Sequence, residues 1–406
     1  RLLGNYFGSS NLVWASILTI MKKEFAVGYT IGGKWADRSP KYRTFFQILI
    51  WAALFIGLIP LISRPILRFA SGAFDRMQSA AMIGSLLSVL ALFSIPITLL
   101  GTASPFAIRI AIENKEDSGR TSGKIYATST IGSFIGTFLP VLVLIPSFGT
   151  YRTFIIISLF LTTISLIGLI KCSGMKRTLT YLWMPILVIL LAYLGLQGFD
   201  KKAEGIIFEK ESAYNYIQVQ QINDYTILRL NEGQGIHSMY HPIKIDFQSP
   251  WEQVLSAPFF NSAPVPLESI HRVAILGFAG GTSANHFRDV FPNVVVDGFE
   301  IDPELIPVGY EFFGLQEGDL NLFIEDARWG IAHSDQEYQI ISIDAFTPPY
   351  IPWHLTTQEF FQEVYDHLDA SGVMVINVAR IYEDRELVNT LYQTIDSVFQ
   401  TTFIVD

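Results

Sequence analysis

The sequence has a single cysteine, Cys172, and few charged residues for its length. One cysteine excludes a disulfide framework and a cysteine-based metal cluster. Charged residues make up 16% of the 406 positions, against about 25% in a typical soluble protein. The net charge of −9 argues against a phosphate-rich partner, so we expect no nucleic acid to bind. Apolar residues take the place of the missing charges, at 50% of all positions.

The shortage of charge is confined to the first half of the chain. Residues 11–198 are dominated by long apolar runs, whereas residues 199–406 have an ordinary soluble composition and contain all seven histidines. A helix that spans a membrane needs about 20 apolar residues. We therefore predict a helical transmembrane domain over 1–200, with about six spans at 11–33, 45–62, 79–111, 124–146, 153–170 and 181–198. The opening RLLGNYFGSSN is typical of the exit from a helix, so we expect one further span before it.

Two of the predicted spans contain residues that are unusual inside a membrane. Lys22, Lys23 and Glu24 stand in the middle of the first span, where charges are costly and often functional. The alternatives are a mutually neutralised cluster that faces the bundle interior, or a span placed wrongly. The third span is too long for one straight helix, and we predict that Pro96 and Pro105 bend or break it.

The soluble half begins with a small β-rich unit, which we place at 201–268. ESAYNYIQVQQ and YTILRL read as paired strands on either side of the turn-forming Asn223-Asp224. From residue 269 onward, apolar strands alternate with helical stretches, which predicts a doubly wound, Rossmann-like parallel sheet. The strands are predicted at 273–277, 294–300, 320–326, 339–344 and 373–378, with one further strand at FIVD (403–406).

Four successive strands of this sheet end in glycine or in a carboxylate, at Gly277, Glu300, Asp326 and Asp344. Ligands bind such sheets at the carboxyl ends of the strands. A glycine turn allows close approach of the backbone, and Glu300 can accept from both ribose hydroxyls. Asp326 is placed to accept from an adenine amine, and Asp344 lies beside the reacting end of the ligand. A nicotinamide dinucleotide needs only the first two features, whereas an adenosyl sulfonium compound needs all four. The alternative is that the carboxylates are solvated or cap the following helices.

The soluble half resembles spermidine synthases, and more closely the membrane-fused spermidine synthase-like proteins. The stretches that carry the resemblance are ESAYNYIQV (211–219), VAILGFAGGT (273–282), GFEIDPELI (298–306), EDAR (325–328), IDAF (343–346) and HLTTQEFF (354–361). The helical half is similar to the same fused proteins through GYTIGGKWADR and IYATSTIGSFIGTFLPVLVLIPSFGTYRT (125–153). Its segment GGKWADRSPKYR (32–43) also resembles the G-x-x-x-D-R loop of major facilitator transporters.

The resemblance implies a class I methyltransferase type of fold and transfer of an aminopropyl group to a polyamine or another small amine. The implied co-substrate is decarboxylated S-adenosylmethionine, with methylthioadenosine as the product and with no metal and no tightly bound cofactor. The resemblance makes Asp344 the catalytic residue. The implied donor-binding residues are Gly277, Ala279, Gly281, Glu300, Asp326 and Ala327, and the implied substrate-binding residues are Tyr214, Gln218, Tyr240 and His241. The resemblance is compatible with a homodimer and with a subunit of a membrane complex, and it does not decide between them.

The sequence departs from the family at the positions that would bind the amine. The turn GFAGGT lacks the aspartate of the family's G-G-G-D-G-G, and the family's Tyr-His-Glu is replaced by Tyr240-His241-Pro242. After IDAF, the chain reads TPPYIPWH (347–354), which predicts a stiff, proline-rich lid. These departures favour a second hypothesis, a catalytically degenerate synthase domain in a transporter-like or assembly subunit. His237 and His241 have the spacing of two metal ligands on a helix, but we favour a substrate-lining or structural role.

The basic loops predict an orientation in the membrane that conflicts with a cytosolic co-substrate. The loops at 32–43, 112–124 and 171–177 are rich in lysine and arginine, which places them in the cytoplasm. If every predicted span crosses once, the soluble half lies on the opposite side. A cytoplasmic soluble half requires that one span does not cross. We expect a multi-pass protein of the cell membrane with its soluble half in the cytoplasm, although the sequence alone leaves that side open.

Overall fold

The chain forms two compact units, which are described separately. One consists of Arg1–Ala203 and Lys210–Tyr216, and the other of Glu204–Glu209 and Ile217–Asp406. The computed structural model describes residues 2–7, 11–74, 78–112, 118–195, 203–231, 233, 235–244, 246–262, 265–318, 320–346, 351–378 and 385–405.

The first unit is helical, as predicted for this half of the chain. Its helices are α1 (Gly4–Phe7), α2 (Asn11–Arg38), α3 (Tyr42–Phe74), α4 (Gln78–Ala111), α5 (Ser118–Leu139), α6 (Ile145–Phe148), α7 (Thr150–Ser173), α8 (Met175–Thr178) and α9 (Trp183–Gly195). Among the described residues, five segments are long and apolar enough to cross a membrane: Tyr42–Ala70, Ile83–Ala111, Ser118–Phe148, Thr150–Ser173 and Met175–Gly195. The first predicted span is helical within α2, but its charged residues leave it less apolar than these five.

Helix α4 runs without interruption through Pro96 and Pro105, so of the two predicted effects the break is absent and the bend stays a prediction. A proline removes one backbone hydrogen bond, which neighbouring groups in a helical bundle can replace. Helix α4 packs along α2 at very short range, because a Cβ atom on Gly28 of α2 would lie 2.4 Å from the carbonyl oxygen of Thr98. Small residues permit this close approach of two helices in a membrane.

The second unit opens with a small four-stranded sheet in the order β1-β2-β3-β4, as predicted. Its strands are β1 (Ile206–Glu211), β2 (Tyr216–Ile222), β3 (Tyr225–Leu230) and β4 (Ser238–Tyr240). Strands β2 and β3 form an antiparallel hairpin, and its turn residues Asn223 and Asp224 have φ of 48° and 68°. Both residue types tolerate this left-handed backbone, which the tightest hairpin turns require.

The larger sheet confirms the predicted doubly wound fold. Its strands are β5 (Arg272–Leu276), β6 (Val295–Phe299), β7 (Leu320–Phe323), β8 (Tyr338–Ile343) and β9 (Leu368–Ile376), all parallel and in the order β7-β6-β5-β8-β9. The helices of this unit are α10 (Pro250–Val254), α11 (Thr282–Val290), α12 (Leu305–Phe312), α13 (Ala327–Ala332), α14 (Gln358–Asp366) and α15 (Glu386–Asp396). The strand order reverses between β5 and β8, and the carboxyl edge at such a reversal is where these sheets bind ligands.

The two faces of the larger sheet are filled mainly by apolar side chains, with one buried charged network among them. The carboxylate of Asp297 in β6 accepts hydrogen bonds from Arg272 at 2.8 and 3.2 Å, from Asn321 at 2.7 Å and from the Tyr338 hydroxyl at 3.0 Å. Burial raises the pKa of Tyr338 to about 12, so its hydroxyl remains a donor. The network links β5, β6, β7 and β8 through a single carboxylate.

The predicted strand at FIVD (403–406) is wrong for its described residues. Residues 403–405 have no strand geometry. The ring of Phe403 lies 5.3 Å from the ring of Phe260. Phe403, Ile404 and Val405 are all exposed, so this short apolar run neither pairs with a sheet nor is buried.

Candidate functional site

The glycine-rich turn after β5 has a backbone that demands glycine at its first position. Gly277 has φ of +97°, and a Cβ atom there would lie 2.6 Å from the backbone nitrogen of Ala345. The backbone N–H groups of Gly277 and Phe278 both donate to the carbonyl oxygen of Phe299, at 3.0 and 3.2 Å. The turn is therefore held directly between the end of β6 and the segment that follows β8.

Ala279 and Gly281 continue the turn in left-handed conformation, with φ of +49° and +87°. Glycine adopts the left-handed region of φ freely, whereas this conformation costs alanine about 1 kcal/mol. Gly281 is also the N-cap residue of α11. The three small residues predicted to meet the donor thus form one continuous turn that leads into a helix.

Glu300, directly after β6, holds this turn in place. One of its carboxylate oxygens accepts from the N–H of Ala279 at 2.8 Å and the other from the N–H of Asp302 at 2.9 Å. The side chain is almost fully buried, and burial raises its pKa above the ordinary value although these two donors act in the opposite direction. Each oxygen retains a second lone pair, which is what a pair of ribose hydroxyls would need.

Strand β4 supports the turn from the other side. The Ser238 hydroxyl accepts from the N–H of Gly280 at 2.8 Å, and the Thr282 hydroxyl bonds both the N–H and the carbonyl of Met239 at 2.8 and 2.9 Å. The small sheet therefore sets the position of the glycine turn through β4. Neither hydroxyl is singled out by the sequence pattern, because serine and threonine are common near turns.

Asp344 follows β8 and lies at the reversal point of the sheet. Its carboxylate accepts one hydrogen bond from the side-chain amide of Asn377 at 3.0 Å and one from the indole N–H of Trp251 at 3.3 Å. Burial raises the pKa of Asp344 to about 6, against these two donors, which favour the ionised form. A buried carboxylate with this pKa is ionised at neutral pH and is a stronger base than an exposed one.

Asp326 adopts the helix-capping role that the sequence left open. One of its oxygens accepts from the N–H groups of Arg328 and Trp329 at 3.0 and 3.1 Å, which caps α13. The other lies 3.0 Å from Nε2 of His354. Ala327, the first residue of α13, is buried in the core of the sheet. An adenine amine at Asp326 would have to share or replace the contact with His354.

Arg328 connects α13 to the segment that carries His354. Its guanidinium bonds the Glu363 carboxylate at 2.6 and 2.8 Å and the carbonyl oxygen of His354 at 3.0 Å. Hydrogen bonding to Glu363 raises the pKa of Arg328. Of the segment predicted as a lid (347–354), residues 347–350 lie outside the described residues, and Arg328 bonds the backbone of its last residue, His354.

The predicted substrate-binding residues lie in different surroundings. Tyr214 belongs to the first unit. Gln218 is 2% exposed. Its neighbours in β2, Ile217 and Val219, pack towards α12. Because successive side chains of a strand point to opposite faces, the side chain of Gln218 lies on the other face of the small sheet. Tyr240 packs against Gly314. The contacts of all these residues with a substrate stay predictions.

His241 has a local structural role in the described chain. Its Nδ1 accepts from the N–H groups of Ile243 and Lys244, each at 3.0 Å, and its ring packs on Tyr225 with centroids 4.8 Å apart. His237 precedes β4, so the two histidines are not on a helix. Burial lowers the pKa of His237 to about 4, which keeps its ring neutral. The structural interpretation of the pair is thus the one that these contacts support.

Two residues beside Asp344 were missed by the sequence reasoning. Asn377 directly follows β9, but the predicted strand ran to residue 378 and the pattern sought at strand ends was glycine or a carboxylate, so this amide was not found. Trp251 lies in α10, where the Ser249 cap and the Glu252 carboxylate form a reciprocal capping box. No local signal in the sequence links this tryptophan to a carboxylate 93 residues away.

The backbone conformation of Gly277 predicts that a side chain at this position lowers the stability of the second unit. Gly277→Ala should destabilise the second unit by about 2 kcal/mol or more, because the new methyl group meets the backbone of Ala345 and φ is unfavourable. Ala279→Gly is the matched control in the same turn, and it should be neutral or stabilising by up to about 1 kcal/mol. Thermal melting of both variants measures the difference. Equal melting temperatures would contradict the geometry.

Comparisons with known proteins place the similarity in the C-terminal half of the chain. A probable polyamine aminopropyl transferase of Bifidobacterium longum is 32% identical over 208 residues, which cover 50% of this chain and 44% of that protein. A polyamine aminopropyltransferase of Vibrio vulnificus is 29% identical over 210 residues, covering 47% of this chain and 66% of that protein. The chain thus spans less than half of the first relative and about two thirds of the second. No family model matches the chain.

Solved structures align with the same part of the chain. A probable spermidine synthase from Corynebacterium glutamicum aligns with a TM-score of 0.42 and 22% identity, over 49% of this chain and 72% of that one. The spermidine synthase of Thermotoga maritima aligns with a TM-score of 0.41 and 20% identity, over 48% and 65%.

Proposed function

We propose that this chain is a membrane-anchored aminopropyltransferase that moves an aminopropyl group from decarboxylated S-adenosylmethionine to an amine of the polyamine class. The observation that carries the proposal is Asp344, a buried carboxylate at the reversal point of the sheet, beside a glycine turn and with a pKa raised to about 6. The sequence similarity of this half to polyamine aminopropyltransferases supports it.

In this proposal the donor lies along the carboxyl edge of the sheet. The ribose hydroxyls bond the free lone pairs of Glu300, and the donor lies against the glycine-rich turn. The adenine amine donates to Asp326, with His354 moved aside or sharing the carboxylate. The sulfonium and its propyl chain then extend towards Asp344, so that the reacting carbon lies next to the base.

The transfer step needs a free amine, because a protonated amine has no lone pair with which to attack. Asp344 accepts a proton from the ammonium of the acceptor. The nitrogen lone pair then forms a bond to the propyl carbon, the carbon–sulfur bond breaks, and its electron pair stays on sulfur. Methylthioadenosine leaves as a neutral molecule. Positioning of the two reactants in line supplies much of the acceleration.

A second candidate function is a degenerate synthase domain in a transporter-like or assembly subunit. It is favoured by the contact of His354 with Asp326, which occupies the carboxylate oxygen meant for adenine. The missing acid of the glycine turn points the same way. This candidate predicts that the domain binds no adenosyl compound and that Asp344→Asn leaves cellular function intact.

Binding of methylthioadenosine to the full chain in detergent separates the two candidates. Calorimetry should detect binding, and Glu300→Gln should weaken it by about tenfold to a hundredfold, because one hydrogen-bonded carboxylate oxygen becomes an amide. Glu317→Gln, which changes an exposed carboxylate, is the matched control and should bind like the parent. If no binding is detected at about millimolar ligand, the weak end of the usual affinity scale, the aminopropyltransferase proposal is wrong and the second candidate remains.

The side of the membrane on which the C-terminal half lies is a separate test. Protease treatment of sealed inside-out vesicles should digest this half if it is cytoplasmic, where the adenosyl co-substrate is made. Protection by the vesicle, together with digestion in right-side-out vesicles, would place it outside and favour the second candidate.

A further inference from the structure

Glu24 is a buried carboxyl of the helical unit that the proposed transfer reaction does not use. It lies on α2 and is 9% exposed. Both of its oxygens accept hydrogen bonds from α4: the Ser94 hydroxyl donates to Oε1 at 3.1 Å and the Thr98 hydroxyl donates to Oε2 at 3.0 Å. The carboxyl is therefore held between two helices by one hydroxyl at each oxygen.

The position of these hydroxyls along α4 gives the depth of Glu24. The apolar segment of α4 is Ile83–Ala111, and Ser94 and Thr98 lie on either side of its middle residue, 97. Ser94 is 11 residues from Ile83, or about 16 Å at 1.5 Å per residue, and Thr98 is 13 residues from Ala111, or about 20 Å. The hydrocarbon core of a bilayer is about 30 Å thick. If α4 crosses a membrane, Glu24 lies close to its midplane.

The described charges around Glu24 do not neutralise it. Helix α4 contains one charged residue, Arg109, and this arginine pairs with Asp37 at 3.3 Å near the end of the apolar segment. On α2 itself, Lys22 and Lys23 are exposed while Glu24 is buried. Within the described part of the chain, no lysine or arginine nitrogen forms an ion pair with Glu24. The mutually neutralised cluster considered from the sequence is thus not what these residues form.

We propose that Glu24 is a proton-binding site within the membrane, which takes up and releases a proton between α2 and α4. An unpaired carboxylate at this depth is costly, and protonation removes that cost. A hydroxyl can donate to a carboxylate or accept from a carboxylic acid, so Ser94 and Thr98 can bond Glu24 with or without the proton.

A proton fits this site better than a metal cation does. A hard cation requires about six or more oxygen ligands, whereas one carboxylate and two hydroxyls are the side-chain oxygens that meet here. The helices are also in close contact next to the site, since a Cβ atom on Gly28 would lie 2.4 Å from the carbonyl oxygen of Thr98. The exposed Lys22 and Lys23 are costly in hydrocarbon at this depth, so we expect their side of α2 to face water or protein.

Carbodiimide labelling tests the site, because dicyclohexylcarbodiimide reacts with protonated carboxyls in apolar surroundings. The full chain in lipid nanodiscs is labelled over a range of pH, and the peptide that contains Glu24 is quantified by mass spectrometry. We expect labelling at low pH that falls as pH rises, and none in Glu24→Gln. Thr98→Val alone, and together with Ser94→Ala, should change the pH at which labelling falls, because each removes a hydrogen-bond partner of the carboxyl. Asp37→Asn should not shift it.

Three outcomes would overturn the proposal. The first is that the peptide is unlabelled at every pH while a surface carboxyl of the same sample reacts. The second is that the hydroxyl variants melt at lower temperature but keep the parent's pH profile, which indicates helix contact alone. The third is protection by sodium ions but not by the same concentration of a bulky organic cation, which identifies a metal-cation site. None of these depends on whether the C-terminal half transfers aminopropyl groups.

Discussion

Asp344→Asn is expected to lower the rate of aminopropyl transfer by about 10²- to 10⁴-fold, the usual contribution of a general base. Binding of methylthioadenosine should remain within a few-fold of the parent, because the nucleoside part of the proposed site lies at Glu300 and the glycine turn. The rate of the parent should rise with pH through about 6, the pKa to which burial raises Asp344, and then level off. The base must be ionised, so activity is lost below that pH.

The same substitution should stabilise the fold at neutral pH. A carboxyl with a folded pKa of about 6 and an ordinary value of 3.8 contributes stability that is complete below pH 3.8 and is lost as pH rises through 6. Ionised Asp344 therefore costs the folded state up to about 3 kcal/mol above pH 6. Asparagine carries no charge, so the gain should be largest at pH 8 and should vanish near pH 4.

Steady-state kinetics and thermal melting across this pH range measure both effects on the full chain. Asp335→Asn changes an exposed aspartate and is the matched control, which should alter neither quantity. Transfer at the parental rate by Asp344→Asn would remove Asp344 from the proposed mechanism. A loss of stability at pH 8 would mean that the hydrogen bonds from Asn377 and Trp251 outweigh the cost of burying the charge.

Asp297→Ala is expected to be the most destabilising single change in the C-terminal half that does not touch the proposed site. It removes the acceptor of Arg272, Asn321 and Tyr338 at once and leaves a partly buried guanidinium without its partner. Breaking a buried ion pair by removing one member typically costs about 3–5 kcal/mol. Because the Arg272 side chain is 28% exposed, the lower end of that range is expected.

Tyr338→Phe is the matched control, since it removes one of these hydrogen bonds and should cost about 1 kcal/mol. Thermal melting in detergent compares the two variants, and hydrogen exchange of the β5 and β8 amides locates the loss within the sheet. A cost for Asp297→Ala no larger than that for Tyr338→Phe would show that the network is not a centre of stability.

Much of the architecture was predictable because it depends on periodicity. Long apolar runs are helices in the first unit, and the strand–helix alternation after residue 269 is the parallel sheet. Whether Pro96 and Pro105 break the helix depends on the surrounding helices, which can replace the lost hydrogen bonds and which the sequence does not show. The strand at 403–406 was wrong because a short apolar run looks the same in the sequence whether or not a partner strand lies beside it.

For the candidate site, the sequence by itself determined three of the four strand ends: a run of apolar residues followed by Gly277, Glu300 or Asp344 locates the polar group at the carboxyl edge. The predicted end at Asp326 was wrong, because β7 ends at Phe323 and Asp326 is the N-cap residue of α13. Only the tertiary structure decided what each carboxylate contacts. Glu300 holds the N–H of Ala279, Asp326 caps α13 and contacts His354, and Asp344 is buried beneath Trp251 and Asn377. Burial and hydrogen bonding come from residues distant in the chain, and these set the proton affinity of Asp344. The depth of Glu24 also follows from the tertiary structure, because its hydrogen bonds with Ser94 and Thr98 place it beside the middle of α4. The sequence of α2 alone does not give this depth.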